Sequence, residues 1–161
     1  MKRISLLFAV LLVVASNLAH AQPYFQFGNL NHGSVNVTSA WTKLNTTAGS
    51  HSFTKASATT KVEIHVNSRF SVGALGGGAN GVRFQVRIDN TILPAFENWG
   101  SLVVSNSKEF ISIFAVFPKL AAGAHTVSIW AQAAPSGTAT AASVVVDPGG
   151  WGGKIIVKET N

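Results

Sequence analysis

The sequence predicts an all-β fold, an antiparallel β-sandwich of about eight to ten short strands. Three observations carry this. Apolar and polar residues alternate with period two over much of the chain, whereas few stretches show the helical period. Glycine, proline and asparagine punctuate the alternating runs at short intervals. The Ala-rich stretches 120–124 and 138–143 have some helix propensity, but they are short and interrupted by glycine or threonine.

Ahead of the first strand, Lys2 and Arg3 precede an apolar run from Ile4 to Ala15, and Ala19-His20-Ala21 supplies a small-x-small cleavage pattern. Residues 1–21 are thus expected to be a cleaved signal peptide, leaving residues 22–161 as a single exported domain, periplasmic or extracellular. The apolar run falls short of the roughly 20 residues that span a bilayer, so no membrane anchor is expected. The chain has no cysteine, so neither a lipid-modified cysteine nor a disulfide is available, and core packing must supply the stability.

Short strands are expected around Val35–Thr38, Trp41–Leu44 and Ser52–Ala56. The clearest alternation runs from Lys61 to Val72. It sets Val62, Ile64, Val66, Phe70 and Val72 against Lys61, Glu63, His65, Asn67 and Arg69. Val82 to Asp89 repeats the design, with Arg83, Gln85 and Arg87 outward, and Asp89-Asn90 reads as a turn. Gly73–Gly81 reads as a flexible loop between these two strands. If they pair as a hairpin across it, Arg69, Arg83, Arg87 and His65 share one basic surface.

In Lys108–Phe117 both faces are apolar: Phe110, Phe114 and Val116 on one, Ile111, Ile113, Ala115 and Phe117 on the other. Such a strand is expected to be covered on both sides, by the opposing sheet and by a loop or another subunit. Pro118 ends it. His125–Ala133 then sets Val127, Ile129 and Ala131 opposite Thr126, Ser128, Trp130 and Gln132. Strands at Thr138–Val146 and Lys154–Lys158 close the domain around an Asp147–Gly153 turn.

The order of these phrases carries a resemblance. "SFTKAS", "KVEIHVNSRFSV", "GVRFQVRIDN", "AGAHTVSIWAQA", "GTATAASVVVD" and the closing "GGKIIVKE" resemble the jelly-roll domains of the tumour-necrosis-factor and complement-globular-head type, known also from bacterial surface and phage fibre proteins. The resemblance spans most of residues 35–159. It implies a jelly-roll β-sandwich that forms trimers and acts by binding, and it supplies no functional residue.

The residues that bear on function are few. Without the signal peptide, ten basic residues stand against six acidic ones, a net charge of +4. The basic residues are scattered rather than blocked, so no nucleic-acid partner is expected. Gly76–Gly81 fits G-x-G-x-x-G in letters, but a strand rather than a helix follows, so no nucleotide cofactor is expected. His32, His51, His65 and His125 fall in separate segments without metal-ligand spacing, and no metal is expected. No G-x-S-x-G elbow occurs, and no carboxylate pair is favoured for glycoside hydrolysis, so a catalytic role is not expected.

Trp151, among the glycines of Asp147–Gly153, is read first as a lid folded over the end of the sandwich and second as a ring left free to stack on a sugar. Trp99 has the same ambiguity, and Trp41 is assigned to the core. The expected function is a secreted, non-catalytic interaction domain that self-associates near Phe110–Phe117. The alternative is a carbohydrate-binding module for a glycan or cell-surface polysaccharide, with Trp151, Trp99, Arg83, Arg87 and His65 as its ligand-binding residues.

Overall fold

The computed structural model describes residues 23–31, 33–44, 51–102, 105–135 and 137–161. The signal-peptide reading of residues 1–21 and the histidine at position 32 lie outside them. Among the described residues there are thirteen strands and no helix. In chain order they are β1 (Tyr24–Phe27), β2 (Val35–Thr38), β3 (Thr42–Lys43), β4 (Ser52–Lys55), β5 (Lys61–Val72), β6 (Leu75–Gly76) and β7 (Gly81–Ile88). There follow β8 (Phe96–Asn98), β9 (Gly100–Leu102), β10 (Ser107–Phe117), β11 (Gly123–Ala134), β12 (Thr140–Val146) and β13 (Lys154–Thr160). Four of them are only two or three residues long, which is why the count exceeds the predicted eight to ten.

Two antiparallel sheets pack face to face. One runs β1-β13-β5-β10-β8, with β12 joined to β5 and flanked by β2 and β6; the other runs β3-β11-β7-β9, with β4 also on β11. The inward sets read from the alternation meet between them. Val62, Ile64, Val66 and Phe70 of β5 face Val82, Phe84, Val86 and Ile88 of β7, and all are fully buried. The Phe70 and Phe84 rings lie 4.4 Å apart at mid-core. Ile113, Ala115, Val127, Ile129, Ile155 and Val157 complete the layer. A β-sandwich is thus the observed fold.

The hairpin expectation for β5 and β7 does not hold, because they belong to opposite sheets. β5 pairs along its length with β10, and β7 with β11. The link between them is not a free loop either. Its β6 pairs with Thr140 and Ala141 of β12, and the Gly73 amide donates to the Ala142 carbonyl at 2.8 Å. A Cβ on Gly73 would lie 2.7 Å from that carbonyl oxygen, so this approach requires glycine. The segment is drawn across the edge of the sandwich, and the four-residue basic surface separates: Arg69 and His65 lie on one outer face, Arg83 and Arg87 on the other.

On its inner side β10 is covered by the opposing sheet, as expected. Ile111, Ile113, Ala115 and Phe117 are core, whereas Phe110 on the outer side is 71% exposed. Phe114 and Val116 are half-buried there, with Phe114 against His65 and Phe96. No loop among the described residues closes over this face.

Candidate functional site

The outer face of the β3-β11-β7-β9 sheet concentrates the large polar and aromatic side chains. Antiparallel register places Lys43 of β3 opposite Trp130 of β11, and Trp130 opposite Gln85 of β7. One step along, Gln132 of β11 faces Arg83 of β7, which in turn faces Ser101 of β9. Directly paired residues of an antiparallel ladder point to the same side, so these side chains form one surface.

Two more tryptophans reach onto it. Trp41 precedes β3, and Trp99 sits at the corner where the chain leaves β8 in one sheet and enters β9 in the other. Their rings meet edge to face, with centroids 6.1 Å apart and planes at 87°. The Arg87 guanidinium lies 4.3 Å from the Trp130 ring and 5.4 Å from Trp41, and Arg83 lies 5.7 Å from Trp99. Each such contact contributes about 0.5–2 kcal/mol, rising with desolvation. Arg87 Nε also donates to Gln85 Oε1 at 2.9 Å, and Trp130 Nε1 donates to Ser128 Oγ at 2.8 Å. The assembly is held from several directions.

Glu97 anchors its rim. On β8 it pairs with Ala115 of β10, yet its Oε1 accepts the Val86 amide of β7 at 2.6 Å, so one side chain stitches the two sheets together. That amide lies beyond the short β7–β9 ladder, which spans only Val82–Phe84, and the carboxyl replaces the missing strand partner. Among the described residues Glu97 Oε2 is buried without a partner. Burial pushes the carboxyl up to about 7, against the pull of the Val86 amide, Gln85, the Arg87 charge and Trp99. Arg87 is lowered by its own burial, with the Glu97 charge opposing.

The five sequence candidates therefore divide. Trp99, Arg83 and Arg87 come together, and Trp99 is 52% exposed. Trp151 and His65 belong to the opposite face. Trp151 is 72% exposed, with Arg69 5.0 Å from its ring, so it is not a lid. The Asp147–Gly153 turn, with left-handed Asp147, Gly149, Gly150 and Gly152, presents it on the outer surface beside Arg69. His65 stands on the polar side of β5, its ring 4.6 Å from Phe114. Burial and the nearby Lys158 lower its pKa, and Glu63 opposes them.

Trp41 is half-buried on the outer surface, not core. Trp41, Trp130 and Glu97 belong to the assembly and are not among the sequence candidates. Trp130 had a legible signal in its place among Ser128 and Gln132 on the polar side of its strand. His125 and Asp89 pair at 2.8 Å at the end of the same sheet, with Asp89 Oδ1 accepting the Thr126 amide at 2.9 Å, and tie the β7 turn to β11. Among the described residues no three of His, Cys, Asp or Glu gather into a metal-binding group. Gly76–Gly81 leads into β7 rather than a helix, so the glycines serve a strand connection. Neither a protein-family model nor a curated protein matches this chain.

Proposed function

We propose that this is an exported, non-catalytic binding domain that takes a polysaccharide on the tryptophan–arginine face. One observation carries the reading: Trp99 stands half-exposed beside Trp41 and Arg83, already oriented before any ligand arrives. Flat aromatic rings stack on the apolar faces of pyranoses, and the bordering Gln132, Ser101 and Arg83 offer hydrogen bonds to hydroxyls. A pre-formed aromatic platform loses little conformational freedom on binding, which favours affinity. Trp151 on the other face is the competing platform. The test is retardation of the mature protein in gels containing immobilised polysaccharides. Trp99→Ala should abolish retardation while the protein stays folded, its unfolding midpoint lowered only by the loss of the Trp41 and Arg83 contacts. Trp151→Ala should leave retardation intact. Loss with Trp151→Ala alone would move the site to the glycine-rich turn.

A second reading concerns the opposite face and is favoured by the exposure of Phe110, Phe96 and Trp151. Large apolar side chains on one sheet face suit contact between copies of the chain. The jelly-roll resemblance adds a trimer as the form such self-association would take. Sedimentation equilibrium tests it: Phe110→Asp should lower the mass to that of the monomer. A wild-type protein that sediments as a monomer at all accessible concentrations would remove this reading.

A further inference from the structure

The tryptophan–arginine face has cations and almost nothing to balance them. Lys43, Arg83 and Arg87 all project from it, and among the described residues none of the three joins an ion pair. Among those residues no outward position of β3, β11, β7 or β9 is a carboxylate. Glu97 lies at the margin, its Oε1 on the Val86 amide and its charge acting on Arg87, and Asp89 at the far end is engaged by His125 and the Thr126 amide.

The two arginines differ in availability. Arg87 is half-buried between Trp130 and Trp41, and its Nε is committed to Gln85, so it holds the platform. Arg83 is exposed beside Trp99, with Gln132 and Ser101 on either side. A guanidinium presents a planar fork that matches a carboxylate or sulfate, and an exposed one next to a stacking ring reads both parts of a charged sugar at once.

From this we infer that the ligand is an anionic polysaccharide, with a pyranose ring on Trp99 and its oxyanion on the Arg83 guanidinium. The inference rests on the glycan reading above and narrows its substrate class. Carboxylate and sulfate share the required chemistry, so the experiment carries both. The mature protein is titrated by affinity electrophoresis against polygalacturonate, dextran sulfate and uncharged dextran, at low and moderate salt.

One or both anionic polymers should bind at least about tenfold more tightly than dextran, the scale of one charge-assisted hydrogen-bonded pair. Arg83→Gln should remove that preference and flatten the salt dependence while leaving the unfolding midpoint in place. Arg83→Lys, which keeps charge but loses the fork, should fall between. Trp99→Ala should abolish binding of every polymer. Dextran binding as tightly as the anionic polymers, with Arg83→Gln silent, would overturn the anionic inference and leave the glycan reading standing. Anionic binding untouched by Trp99→Ala would mark bulk ion exchange and also overturn it. No retention by any polymer would bring down the glycan reading and this inference together.

Discussion

Glu97 is an acid set where water reaches it poorly, and its chemistry follows from that position. Its carboxyl rises from 4.5 to about 7 because burial penalises the anion more than Val86, Gln85, Arg87 and Trp99 reward it. Between those two values the folded protein holds a proton that the unfolded chain releases. The stability this contributes is complete below 4.5 and is lost as pH rises through 7. Glu97→Gln keeps the acceptor for Val86 and removes the titration. Relative to this variant the wild type should lose about 2 kcal/mol between pH 4.5 and 8, less than the full shift would give because solvent still screens part of the side chain. Denaturant midpoints at the two pH values check it; parallel behaviour of the two proteins would place the carboxyl in open solvent. Little of this was legible in the sequence, because Glu97 meets Val86 only through the docking of two sheets. Trp41 was misplaced for a related reason. The strand it precedes is two residues long, too short for alternation to say which side is core. Trp130 lies in a twelve-residue strand, and there the alternation placed it correctly.

At the scale of strands, the period-two pattern carried nearly all the information about which side chains face inward. Val86 and Arg87 show both its strength and its limit. Val86→Asp puts an unpaired charge into the fully buried layer and should unfold the domain. Arg87→Asp lies on the outer side, where alternation alone suggests a nearly neutral change. Yet it removes a guanidinium seated between two indoles and should cost about 1–2 kcal/mol. Equilibrium unfolding ranks the two; equal midpoints would show that the faces are assigned wrongly. What alternation could not give was the choice of partner. Any strand with one apolar side satisfies any other, and the proximity of β5 and β7 in sequence favoured a hairpin. The link instead pairs with β12, far along the chain. Gly100 exposes the same non-local constraint at the sheet-to-sheet corner. A Cβ there would lie 2.3 Å from Ile111 Cγ2 of β10, so β9 can approach the core only with glycine at that place. Gly100→Val should cost about 1–3 kcal/mol by overpacking and should weaken polysaccharide binding by shifting Trp99. Unchanged stability together with unchanged binding would show that this corner has room to spare.

Across the whole molecule, two segments about a hundred residues apart in sequence are joined by a buried ion pair that no short motif signals. Lys55 at the end of β4 and Glu159 in β13 are both buried, with Nζ and Oε1 3.7 Å apart. Lys55 also donates to Thr60 Oγ1 at 2.9 Å and to the Ser57 carbonyl. Glu159 accepts the Ala56 and Ser57 amides at 2.8 and 2.9 Å, and the Thr60 hydroxyl. Burial alone would raise the Glu159 carboxyl. The hydrogen bonds from Thr60, Ala56 and Ser57 and the Lys55 charge outweigh it, so the pKa falls below the usual 4.5. The sign is opposite to that of Glu97. Stability from Glu159 is complete above 4.5 and is lost as pH falls through its lower folded value. His65, lowered by burial and by Lys158, acts in the same direction at higher pH, its contribution complete above 6.5 and declining as the solution is acidified. Glu159→Gln leaves Lys55 buried without its counter-charge and should cost about 3–5 kcal/mol at pH 7. Because the wild type forfeits the same ion pair on protonation, the gap between the two proteins should close as pH drops from 4.5 toward 2. Urea midpoints across that range decide the matter: a gap that stays constant in acid would mean the Glu159 charge contributes nothing, and the loss at pH 7 would then be one of packing alone.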